Sequence, residues 1–188
     1  MKKYIIYALL ALPLIIVSCS KDDNDTPEPV NEEEVITTLT VTLTPKEGFE
    51  AETVTLQTKD LDGDGPNAPE VSVSGSLQNG VFYSGSVVFL NETETPAENI
   101  TEEVEEEADE HQFFVTPGGG IAGDIGVEYL NNDSNGNTLG TQFELNTLAT
   151  GNGTLTFTLR HEPKKPNTGL SDAGGETDIE TTFNITVE

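Results

Sequence analysis

The chain has 188 residues and carries 34 acidic side chains against 8 basic ones, a formal net charge of −26 with a pI near 4.1. That excludes binding that tracks nucleic-acid phosphates, which needs clustered Lys and Arg, and adsorption to anionic lipid through protein charge. Hydrophobic residues at 34%, aromatics at 6% and the absence of Trp allow one core of ordinary size and modest richness.

The amino terminus reads as an export signal. Met1-Lys2-Lys3 is positive, and Tyr4 to Val17 is an apolar run broken only by Pro13. The run is shorter than the roughly 20 residues a membrane-spanning helix needs, and it suits the apolar region of a secretory signal. It ends in Ile16-Val17-Ser18-Cys19, which resembles a bacterial lipobox. The resemblance implies cleavage before Cys19, the chain's one cysteine, and a diacylglyceryl lipid on its thiol. Removal of residues 1–18 takes away two Lys and no acid, leaving six bases, 34 acids and a net −28. Attachment to the membrane is then lipidic, at roughly 0.8 kcal/mol per buried CH₂. Ser20-Lys21-Asp22-Asp23 resembles the signal that sends Bacteroidota lipoproteins to the outer leaflet of the outer membrane. Residues 19–34 form an acidic tether with two Pro and seven acids, a composition that buries no surface and stays extended.

Residues 35–188 are expected to form one domain. From Val35 the period is two: Val35, Thr37, Leu39, Val41 and Leu43 alternate with a face rich in Thr. Further strands are expected at 53–58, 70–75, 81–90, 111–116, 125–130, 141–147, 154–161 and 177–187. In the last, Ile179, Phe183, Ile185 and Val187 form one face, and Asp178, Glu180, Thr182 and Asn184 the other. Gly, Asn and Pro clusters punctuate these runs. The pattern predicts an all-β fold, a single antiparallel β-sandwich of about nine strands, immunoglobulin-like or jelly-roll-like. One segment departs from it. Ala97, Ile100, Val104 and Ala108 recur at three and four residues among seven acids within 101–110, predicting a short acidic helix capped by Asn99 or Thr101, with an extended acidic loop as the alternative.

Two loops place oxygen donors at alternate positions ahead of a glycine. Asp60, Asp62 and Asp64 do so in the first, Asn131, Asp133 and Asn135 in the second. Such spacing can gather three side chains on a calcium ion. The twelfth positions are Val71 and Gln142, so neither is an EF-hand, and the same residues also serve plain turns.

The two histidines each stand beside acids. By parity His111 shares a face with Phe113 and Val115, and His161 with Leu155, Phe157 and Leu159. If their strands are antiparallel neighbours, both imidazoles lie at one sheet edge, where Asp109, Glu110 and Glu162 could add oxygens. Two imidazoles and one or two carboxylates make a zinc or copper set. The alternative is that each histidine ends its strand and titrates alone.

No nucleophilic triad, phosphate loop or dinucleotide fingerprint is present, and no activity as an enzyme is expected. Gly118-Gly119-Gly120 lacks the Lys and Ser or Thr of a phosphate loop and reads as a turn. Together, the Cys19 signal, Lys59-Asp60-Leu61-Asp62-Gly63-Asp64-Gly65, the Glu-rich run into Asp109-Glu110-His111-Gln112-Phe113-Phe114, Arg160-His161-Glu162-Pro163 and Asp172-Ala173-Gly174-Gly175-Glu176-Thr177-Asp178 resemble a family of small flavobacterial (Bacteroidota) cell-surface lipoproteins. The resemblance implies an outer-membrane address, exposure at the cell surface and company with TonB-dependent receptors. The expected function is that of an accessory protein that binds a ligand or metal cation for uptake. The alternative is a structural or adhesive surface module with calcium-stabilised loops.

Overall fold

Alternating apolar residues make strands here because each strand buries only one of its faces. In β1 (Thr38–Pro45), Leu39, Val41 and Leu43 are wholly buried, while the intervening Thr40, Thr42 and Thr44 remain at least partly accessible. The computed structural model describes residues 34–63 and 65–188. The expected signal segment, Cys19, the tether as far as residue 33, and Asp64 lie outside the described residues. The described residues form a single compact unit.

Ten strands and two short helices are present among the described residues. After β1 come β2 (Val54–Lys59), β3 (Glu70–Val73), β4 (Phe82–Asn91) and the two-residue β5 (Glu98–Asn99). Helix α1 (Ile100–Glu106) leads to β6 (His111–Gly119), β7 (Ile125–Tyr129), β8 (Gln142–Thr147) and β9 (Gly151–His161). Helix α2 (Leu170–Ala173) precedes β10 (Glu176–Val187). One sheet runs β3-β2-β1-β4-β8-β7, with β5 against the end of β4; the other runs β10-β9-β6. Every pairing between named strands is antiparallel. The fold is an all-β sandwich, and each of the nine expected strands has its counterpart.

The two sheets meet through phenylalanine rings. Phe113, Phe157 and Phe183 come from the smaller sheet, Phe89 and Phe143 from the larger, and all five are wholly buried. Phe113 stacks on Phe157 at 5.8 Å between ring centres and meets Phe89 edge-on at 5.7 Å. Gly85 marks a place where the alternation calls for an apolar side chain and none fits. It pairs directly with Phe143, and a Cβ there would lie 2.3 Å from that ring.

The acidic segment is a helix, shorter than its periodicity implied. Ile100 and Val104 are buried, as the stripe requires, but Ala97 precedes the helix and is exposed. Asn99 occupies the N-cap position without capping; its Nδ2 donates to Glu102 instead. Thr101 bonds both the amide and the carbonyl of Phe89 through its hydroxyl, which ties the helix to β4.

Candidate metal centre

The helix end sets the position of the first histidine. Helix α1 stops with the Glu107 amide donating to the Glu103 carbonyl at 2.8 Å. The Glu107 carbonyl, one of the acceptors a helix terminus leaves over, then takes the Glu110 amide at 2.8 Å and His111 Nδ1 at 3.2 Å. A carbonyl only accepts, so Nδ1 carries the proton and Nε2 is the nitrogen turned toward the centre. Behind the ring, Lys165 Nζ donates to the His111 carbonyl, to the Ala108 carbonyl at 2.6 Å and to Asp133 at 3.2 Å. The first residue of β6 is therefore held from both sides.

His111 and His161 are direct partners in the β6–β9 register, and their ring centres lie 4.7 Å apart. The structure thus brings the two histidines together at one end of the smaller sheet. Their carboxylate neighbours come from elsewhere than the flanking residues. Glu34 supplies one: its oxygens lie 2.9 Å from His111 Nε2 and 3.1 Å from His161 Nδ1. Asp178 supplies the other, 3.9 Å from His111 Nε2 and 3.5 Å from His161 Nδ1. All four side chains are at most 6% exposed. One ligand atom from each lies within 4.8 Å of every other.

Asp178 faces inward because of a β-bulge. Thr177 pairs with Arg160 and Ile179 with Leu159, so Asp178 is the residue inserted at the bulge. An inserted residue reverses the parity of the strand at that point, and bulges re-aim side chains in this way. The outward position expected for Asp178 is corrected accordingly. Gly175 allows β10 to begin so close to the site. Its φ is +72°, and a Cβ there would meet the His161 carbonyl at 2.2 Å.

The other expected ligands divide. The Asp109 carboxylate turns away and accepts the amide and hydroxyl of Ser134, which removes it from the centre. The exposed Glu110 and Glu162 gather with the buried His161 in a second group whose ligand atoms also lie within 4.8 Å of one another. They do not reach the buried set. Glu34 was read as part of the solvated tether, yet its side chain is only 5% exposed. Nothing in the run Glu32-Glu33-Glu34 distinguishes it, so composition alone could not have found it.

The electrostatics call for a positive charge between the four groups. Burial alone would raise the Glu34 pKa; the adjacent His111, helped by His161, overrides that and brings it down to about 2. Burial alone would lower the His111 pKa, but Glu34, the Glu107 carbonyl and Asp178 push it above its ordinary value. His111 Nε2 is wholly buried and lies 2.9 Å from Glu34 and 3.9 Å from Asp178. A nitrogen lone pair facing two carboxylates is stable only with a proton or a cation between them.

In the two Asp/Asn loops the oxygens largely serve the turns themselves. Asp133 accepts from the amides of Asn135 and Asn137 and from Lys165. Asn131 Oδ1 accepts the Gly140 and Gln142 amides, while the amide of Asn135 closes on Asp133. Asp60 Oδ1 is buried with no hydrogen-bond partner among the described residues, while Asp62 is taken by the amide and side chain of Asn67. These bonds are what Asx turns make without any ion. No family model, curated protein or solved structure matches this chain.

Proposed function

We propose that this protein is a lipid-anchored, outer-membrane β-sandwich that holds one first-row transition ion, zinc fitting best, through Glu34, His111, His161 and Asp178. In this reading it is a non-catalytic, surface-exposed accessory for cation uptake, working with a TonB-dependent receptor. The observation that carries the metal reading is the buried convergence of two imidazoles and two carboxylates, with His111 Nδ1 already committed to a carbonyl. Metal-bound histidines characteristically donate their second nitrogen in this way. Bonds of about 2.05 Å in a tetrahedron separate the ligand atoms by about 3.3 Å. Glu34 presents one oxygen to each imidazole, at 2.9 and 3.1 Å, and Asp178 one to each, at 3.9 and 3.5 Å, distances near that spacing with a different oxygen facing each ring. Calcium would want six to eight oxygens rather than two imidazoles. Copper(II) remains the nearest competitor, through its liking for nitrogen and oxygen donors. Four protein ligands leave no open position of the kind catalytic zinc keeps.

The address rests on residues 1–23 and on the net charge, which keeps the body of the protein off anionic lipid. The calcium-loop alternative gains nothing from the second turn, where the oxygens of Asn131 and Asp133 are engaged. Two measurements test the proposal. Zinc titration should give one ion per chain in the wild type and none bound with comparable affinity in His111→Ala; equal binding by the two would refute the centre. Cys19→Ser should move the protein from the membrane to the soluble fraction, and continued membrane retention would refute the lipid anchor.

A further inference from the structure

The acidic run ahead of His111 lines a cleft beside the buried centre. Glu105, Glu106, Glu107, Asp109 and Glu110 border a cavity of about 400 Å³ between the end of α1 and the turn at 132–134. Clefts lined by one sign of charge concentrate the opposite ion and raise its arrival rate.

Glu110 belongs both to this cleft and to the second group with His161 and Glu162. The Glu162 amide donates to the Glu110 carbonyl at 2.7 Å, extending the β6–β9 pairing one step past the two histidines. The two glutamates are therefore held at the rim of the sheet, next to the buried imidazoles. His161 is common to both sets: its Nδ1 faces Glu34 and Asp178 inside, and the same ring stands within ligand range of Glu110 and Glu162 at the surface.

A hydrated dication cannot enter a closed four-ligand centre in one step, because it must shed its water first. Exposed carboxylates can replace those waters while others remain bound. We propose that the exposed Glu110 and Glu162, with the buried His161 behind them, form an outer station for a divalent cation, fed by the acidic cleft, through which the ion passes to and from the buried centre. The inference rests on the metal-centre reading above. A station on the path lowers the barrier in both directions and leaves the equilibrium unchanged. Simple attraction by negative charge would speed arrival alone.

The test compares zinc uptake, and zinc release to a chelator, in the full-length protein and in its Glu110→Gln/Glu162→Gln double variant. The station predicts one zinc per chain in both, with uptake and release each slowed about tenfold or more in the variant. Unchanged release would overturn it, leaving only charge attraction. A variant that no longer held one zinc per chain would also overturn it, by making the two glutamates ligands of the resting centre. Failure of the wild type to take up zinc is a separate result, and it would remove the buried centre itself.

Discussion

Lys165 and Asp133 show how single residues brace the candidate centre. The lysine is buried, with its side chain 6% exposed, and it joins the loop after β9, the 131–137 turn and the backbone of His111. Burial opposes the ionised form of Asp133, but the Asn137 amide and side chain and then Lys165 outweigh it, and its pKa is held below the ordinary carboxylate value. A carboxylate with a depressed folded pKa stabilises the fold fully above its unfolded pKa, and loses that contribution as pH falls through the folded value. Asp133→Asn should therefore destabilise most near neutral pH, and its cost in denaturant unfolding should shrink below about pH 4. A cost that stayed constant from pH 7 to pH 3 would contradict this role. At this scale the sequence was only half legible. His111 and His161 could be paired by parity because their strands run regularly from Phe113, Val115, Leu155, Phe157 and Leu159. Asp178 could not be placed, because a bulge one residue long reverses parity without leaving a mark in composition. Asp109 was misplaced because adjacency in sequence says nothing of the Ser134 hydroxyl waiting across the loop.

At the scale of elements, strands were the most legible feature, since a face that is buried must repeat every second residue. The helix was legible from Ile100 and Val104, and its ends were blurred because Ala97 fits the same stripe without being folded into it. The central strand of the smaller sheet, β9, carries both His161 and the ring of Phe157, which lies 5.8 Å from Phe113 and from Phe183. Phe157 is wholly buried, so Phe157→Ala should cost about 3–5 kcal/mol in unfolding free energy. Denaturant titration at fixed pH, without added metal, measures it. A cost below about 1 kcal/mol would mean the core does not rely on this aromatic cluster. Because β6 and β9 carry one histidine each as direct partners, the rigidity of this sheet also fixes the separation of the imidazoles. Sites built on paired strands hold their geometry better than sites on loops.

Across the whole molecule, the net charge of −26 resolves into parts with separate consequences. Seven acids fall in residues 20–34, and one of them, Glu34, turns inward to the centre. Seven more fall in residues 101–110, where most border the cleft beside the histidines. The remaining acids are spread over the sandwich, where they favour solubility. In the proposed arrangement the lipid holds the chain at the membrane, the sandwich holds the ligands, and the acidic segment gathers cations toward them. That whole depends on the four buried side chains acting as one set. Crystals grown with zinc and measured at the zinc absorption edge would test this most directly. The account predicts a single strong anomalous peak within about 2.1 Å of His111 Nε2, His161 Nδ1 and an oxygen each of Glu34 and Asp178. Zinc found only among surface carboxylates, with no peak between the two histidines, would contradict it.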